Sequence, residues 1–191
     1  MRMAPNAKCQ RVLVLAARLY IVFAAVQPVE CPVDIVFVLD ESGSIGSTNF
    51  ELMKSFVSQI VGRLDVDSGS TRVGLATYST SIGTVIDLND HNTVAAFQAA
   101  VSSLVYASGS TNTDRALAFV RTSMLTSAAG DRGDVPNIVV VFTDGQSSNT
   151  AATRVSWSQI PLRYKPNSIT LASSELAPNM FEASSCQIPL H

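Results

Sequence analysis

Residues Ile35 to Leu39 (IVFVL) form an unbroken apolar run of β-branched and aromatic side chains that stops abruptly at Asp40. So short a run, with no polar alternation, reads as a strand buried on both faces, the kind found inside a parallel sheet. Asp40-Glu41-Ser42-Gly43-Ser44 follows at once. Three oxygen-bearing side chains, Asp40, Ser42 and Ser44, therefore alternate just past the carboxyl end of a buried strand. That end of an open α/β sheet is where ligands bind. A carboxylate and two hydroxyls make a hard, all-oxygen set that suits Mg²⁺, which keeps octahedral geometry and takes few protein ligands.

The rest of the chain alternates strands and helices around this run. After Gly46, Thr48 with Glu51 has the spacing of a capping box, and Phe50, Met53, Val57, Ile60 and Leu64 recur on one helical face. Thr71–Ser79 (TRVGLATYS) and Ile82–Leu88 (IGTVIDL) read as two strands close enough for a hairpin. Val94, Phe97, Val101 and Leu104 mark a second helix, which Ser108-Gly109-Ser110 breaks; Leu117, Val120 and Met124 mark a third. After the loop Gly130–Pro136 comes a second doubly buried strand, Asn137–Thr143 (NIVVVFT), which ends at Asp144-Gly145. If the two buried strands are neighbours, Asp40 and Asp144 stand at one crevice. Past Thr150 only Ser168–Ala172 (SITLA) looks like a strand, and no clear strand–helix pair is visible.

Bulk properties narrow the function. A chain of 191 residues, 47% hydrophobic and 15% charged, suffices for one domain with a sizeable core. A net charge of −2 gives no electrostatic support for a nucleic-acid partner. His91 and His191 are the only histidines, which excludes a His-rich metal site. Residues 1–25 read as a secretory signal peptide: Arg2, Lys8 and Arg11 are basic, and Val12–Ala25 is mostly apolar and ends in small residues, although Arg18 interrupts it. The run is too short for a confident membrane span, and the mature chain is expected to be secreted, soluble and extracellular. Cys9 would leave with the signal; Cys31 and Cys186 would remain, either bridged or as two free thiols.

Four pieces, DIVFVLDESGSIG, TRVGLATYS, GSTNTDRAL and VVVFTDG, stand in an order and spacing that resembles the von Willebrand factor A domain of matrilins, non-fibrillar collagens and integrin α-chains. The resemblance spans about Cys31 to Asn149. It implies a doubly wound, mostly parallel sheet flanked by helices, and a metal-ion-dependent adhesion site (MIDAS). By that resemblance Asp40, Ser42, Ser44, Thr111 and Asp144 would hold Mg²⁺ or Mn²⁺. It further implies a secreted adhesion or matrix protein that binds extracellular matrix proteins such as collagens through a partner carboxylate, and no enzyme. Glu41 and Asp114 stand where the family commonly has glycine. The family continues past VVVFTDG with two more strands and two helices, which residues 151–191 do not show. The expected organisation is thus a signal peptide (1–25), a partial A-type domain (31–150) and a divergent tail (151–191), with the sheet incomplete at its C-terminal end.

Other functions fit the residues less well. Asp40, Ser42 and Ser44 alone could be a strand-ending turn with helix-capping side chains. A hydrolase using Ser44 lacks the G-x-S-x-G elbow, and nothing marks His91 as a base. No phosphate-cradling G-x-x-x-x-G-K-[ST] occurs, nor a G-x-G-x-x-G after a strand. A structural secreted module, or a truncated product, without metal-dependent binding remains as the alternative. Thr113 and Asp114 read as helix caps, and Tyr78 and Phe97 as core packing. Arg132-Gly133-Asp134 matches an integrin-ligand tripeptide, at the end of the sheet opposite the metal residues, where chance recurrence is the stronger explanation.

Overall fold

The apolar run is the centre of the sheet. In the computed structural model, which describes residues 32–144, 147–159 and 169–172, it is strand β1 (Val33–Asp40), with every residue buried. Helix α1 (Gly46–Val61) leads to β2 (Thr71–Tyr78), and a hairpin leads to β3 (Ile82–Ile86). Helices α2 (Val94–Ser102) and α3 (Thr113–Phe119) follow, and a π-helical turn, Val120–Met124, continues α3. Then come β4 (Asn137–Phe142), α4 (Thr150–Ser158) and β5 (Ile169–Ala172). The expected signal peptide and both Cys31 and Cys186 lie outside the described residues.

The strand order is β3-β2-β1-β4-β5. β1 pairs in parallel with β2 and β4, β5 adds in parallel to β4, and only β3 is antiparallel. The period-2 alternation of the strands divides the apolar side chains between two cores. On one face Ile35, Phe37 and Leu39 pack with Val73, Leu75 and Phe142 under α1 and α2, which contribute Phe50, Val57, Val61, Phe97 and Val101. On the other face Val36 and Val38 pack with Ala76, Tyr78, Val139 and Val141 under α3 and its π turn, through Leu117, Val120 and Met124. Helices thus cover both faces, as the doubly wound expectation requires. Among the described residues no helix is long and apolar enough to cross a membrane.

Two local expectations are corrected. The chain turns into α1 through Gly46 at φ +70°, a left-handed conformation that glycine tolerates at little cost. The helix therefore starts ahead of Thr48, with Ile45 at its N-cap and no side-chain cap. Glu51 pairs instead with Lys54 at 2.9 Å, and the nearly buried Lys54 Nζ also donates to the Leu104 carbonyl at 2.9 Å. Past Thr150 the strand read at Ser168–Ala172 is present as β5, but the helix ahead of it, α4, is one that sequence periodicity does not reveal. Helix α4 lies against α3 but is largely exposed, so it carries no long apolar stripe, and β5 is only four residues long. Of the two strands and two helices implied beyond VVVFTDG, the described residues hold one of each.

Candidate metal centre

The chain reverses direction across the sheet at β1: α1 carries it to β2 on one side, and β4 lies on the other. Such a switch point opens a crevice outside the carboxyl ends of the flanking strands. Asp40 ends β1, and Asp144 stands two residues past the end of β4.

Register decides which side chains meet there. Val36, Val38 and Asp40 share the α3 face of β1; Ala76 and Tyr78 share it on β2; Val139, Val141 and then Thr143 share it along β4. Asp40 is fully buried, and three donors from three segments fix its carboxylate. The Ser42 backbone N–H donates to Oδ1 at 2.8 Å, the Thr143 hydroxyl to Oδ2 at 2.7 Å and the Tyr78 hydroxyl to Oδ2 at 3.3 Å. Burial first, and the Asp40 charge second, push the Tyr78 phenol well up, so it stays protonated and keeps its donor at any physiological pH.

Beside Asp40 a chain of oxygens spans the crevice. The Ser44 hydroxyl donates to Asp144 Oδ1 at 3.0 Å and lies 3.2 Å from the Ser42 hydroxyl. Tyr106, from the loop after α2, donates to the Ser42 carbonyl at 2.9 Å. The Gly43 N–H donates to the Gly109 carbonyl at 2.9 Å, which draws the loop before α3 against the Asp40–Ser44 loop. Thr111, on that loop, is joined through its main chain: its carbonyl accepts the Ser148 N–H at 2.9 Å. Ser42, Ser44 and Asp144 are thus joined side chain to side chain, Asp40 is joined to them through the Ser42 backbone N–H, and Thr111 is tied by its carbonyl to Ser148 in the segment after Asp144.

The donor set is two carboxylates and several hydroxyls. Among the described residues no three His, Cys, Asp or Glu side chains gather in a metal-binding group, and no cationic side chain pairs with Asp40. A fully buried carboxylate without a cation carries an uncompensated charge, and neighbouring hard oxygens fit Mg²⁺ or Mn²⁺. Glu41 does not join the set. Its side chain is buried against Thr77 and Gly83, where burial above all, and Asp40 beside it, raise its carboxyl above the usual range, while the Thr77 hydroxyl opposes them.

Several residues around the centre escape sequence reading. The Thr113 hydroxyl lies 3.1 Å from the Tyr78 hydroxyl and caps nothing; Asn112 occupies the N-cap without a side-chain capping bond, its amide donating instead to the Thr80 carbonyl at 2.8 Å. Thr143 and Tyr106 gave no local signal. Alternation along NIVVVFT, counted from the face of Val139 and Val141, would have put Thr143 on the Asp40 face. Phe97 is core, as expected, and His91 stacks edge-on against it at 6.4 Å. At the opposite end of the sheet, the arginine of Arg132-Gly133-Asp134 is engaged internally. Its guanidinium contacts Asp34 Oδ1 at 2.6 Å and 2.8 Å and donates to the carbonyls of Val33, Gly69 and Ser70. It is therefore not presented to a partner.

Comparison with known proteins agrees with this architecture. The von Willebrand factor type A domain family matches residues 34–174. The chain is 42% identical over 120 residues to the mouse collagen alpha-4(VI) chain, covering 62% of this chain and 5% of the collagen. It is 38% identical over 116 residues to chicken matrilin-1, covering 61% of this chain and 24% of the matrilin. It therefore spans a quarter or less of these relatives. Among solved structures it resembles proximal thread matrix protein 1 from the mussel byssus, with a TM-score of 0.65 at 24% identity over 75% of this chain and 38% of that one. The same mussel protein has been solved with zinc occupying its MIDAS motif, and that structure matches at a TM-score of 0.65 and 23% identity. A mixed sheet, five-stranded among the described residues and covered on both faces, with a D-x-S-x-S loop at its switch point and a family match over most of the chain's length, makes this chain a member of the von Willebrand factor type A domain family.

Proposed function

We propose that this is a secreted matrix or adhesion module that binds partner proteins through one divalent cation at the crevice between β1 and β4. The observation that carries the proposal is the oxygen chain Ser42–Ser44–Asp144 in the loop that follows a fully buried Asp40, which pairs with no cationic side chain among the described residues. Asp40, Ser42, Ser44, Thr111 and Asp144 would hold Mg²⁺ or Mn²⁺, some directly and some through water. The ion would supply a hard Lewis-acidic centre with a coordination position left for an outside oxygen. Asp40, whose oxygens already accept three hydrogen bonds, contributes mainly fixed negative charge. Ser42 and Ser44 contribute neutral oxygens and so leave the positive charge under-compensated. A partner's Asp or Glu carboxylate is the matching occupant. Nothing in this scheme breaks a bond, so it requires no general base or nucleophile. The relatives named collagen and matrilin, and the zinc-occupied motif of the mussel thread protein, support a matrix setting with collagens as the first partners to try.

Asp40→Ala is expected to abolish Mn²⁺ binding and metal-dependent adhesion to a collagen-coated surface while leaving the far-ultraviolet circular dichroism near that of the parent. Adhesion that persists in EDTA, or in Asp40→Ala, would eliminate the metal and leave a structural module.

A further inference from the structure

We propose that Tyr78 is a positioning residue for this centre, its hydroxyl relaying Thr113 at the head of α3 to Asp40 at the end of β1. The inference rests on the metal-dependent reading above. Tyr78 is fully buried, and as mere packing the site would be served by phenylalanine, since a buried hydroxyl is costly unless it is bonded. Its oxygen lies 3.3 Å from Asp40 Oδ2 and 3.1 Å from Thr113 Oγ1. Each hydroxyl has one hydrogen, and an ionised carboxylate only accepts. Both hydrogens are satisfied when Thr113 donates to Tyr78 and Tyr78 donates to Asp40.

The relay joins segments far apart in sequence. Asp40 and Tyr78 are register partners on β1 and β2, and Thr113 is two residues past Thr111. The loop that carries Thr111 also accepts the Gly43 N–H through Gly109. The two loops expected to flank the cation are thus tied twice, by a backbone bond at the surface and by the hydroxyl relay beneath it. With the Ser42 N–H and the Thr143 hydroxyl, the Tyr78 hydroxyl holds Asp40 from a third side and removes its freedom to rotate before any ion arrives. Thr113 acts only through Tyr78, so its removal costs less.

The test is Mn²⁺ affinity, read from the electron paramagnetic resonance of free Mn²⁺, with thermal melting in EDTA alongside. Tyr78→Phe is expected to weaken Mn²⁺ about tenfold, the lower range for partners that orient a ligand. Thr113→Val is expected to weaken it about threefold, and the double variant no further than Tyr78→Phe alone, because the two act in series. Thr113→Ser keeps the hydroxyl and is expected to match the parent. Tyr78→Phe binding Mn²⁺ within about twofold of the parent, or losses that add independently in the double variant, would overturn the relay. Should Tyr78→Phe not fold, Thr113→Val against Thr113→Ser decides, equal affinities overturning it. A parent chain that takes up no Mn²⁺ defeats the metal-dependent reading itself, and the relay with it.

Discussion

Replacing Arg132 with methionine should cost more stability than any other single surface change in the described fold. Asp34 is fully buried at the start of β1, and Arg132 is its ion-pair partner at 2.6 Å. The Arg132 backbone N–H also donates to Asp34 Oδ2 at 2.8 Å, and a methionine would keep that bond. What disappears is the guanidinium, which contacts Asp34 Oδ1 and bonds the carbonyls of Val33, Gly69 and Ser70. Removing one partner of a buried pair leaves an uncompensated charge and costs about 3–5 kcal/mol. Against a total of about 5–15 kcal/mol for a domain, that is about a fifth of the stability or more. With an unfolding entropy of about 2.1 cal/mol/K per residue over the ~130 described residues, the melting temperature should fall by about 11–18 °C. Urea unfolding followed by far-ultraviolet circular dichroism would give a lowered midpoint at unchanged slope. Arg132→Met with Asp34→Asn should recover much of the loss, since the orphaned charge is then gone. An Arg132→Met midpoint within about 0.5 kcal/mol of the parent, the range of ordinary surface substitutions, would refute the reasoning.

Two further outcomes follow from local geometry. A Cβ at Gly83 would collide with the Thr77 hydroxyl and come within 2.6 Å of Glu41 Oε1, so Gly83→Ala should destabilise by about 1–3 kcal/mol in thermal melts, and adding Glu41→Gly should return part of it. Burial first, and the Asp90 charge second, raise the Asp87 carboxyl, so its charged form is disfavoured by folding: the stability it contributes is present below about pH 4 and lost as pH rises through the folded value. Asp87→Asn should therefore melt above the parent at pH 7, with the gap closing by pH 3; a gap independent of pH would show the carboxyl to be unperturbed.

The parts of this molecule legible in the sequence are those written in short range. β1 and β4 are unbroken apolar runs because both their faces are covered, and the aspartates that end them mark the crevice without further information. Asp40, Ser42 and Ser44 share one loop, so their grouping needs no fold. Thr111 came only from family resemblance, because its placement depends on a loop held by the backbones of Gly43 and Ser148. The network beneath the centre was hidden for a similar reason. Tyr78 and Thr143 reach Asp40 across 38 and 103 residues of chain, and only strand register brings them there. Local rules also failed where another partner outcompeted the expected one: Glu51 took Lys54, three residues on along the same helix, in place of a cap, and Thr113 took Tyr78 from 35 residues away. Helix α4, anchored by its neighbour and not by an apolar stripe of its own, shows the same limit from the side of secondary structure.

The sheet order has a further consequence for how the crevice comes apart. β1 is hydrogen-bonded along both edges and wholly buried, so its amides should exchange with solvent only through global opening. Among the described residues β4 is one strand from the boundary, with the four residues of β5 beyond it. The two carboxylates facing each other across the crevice therefore stand on ground of unequal durability. Sub-global openings that peel β5 and then β4 would carry off Asp144 while Asp40 and its serines keep their native arrangement. Resistance of the Asp144 side to such opening, rather than the strength of the D-x-S-x-S loop, would then set how long the assembled crevice persists.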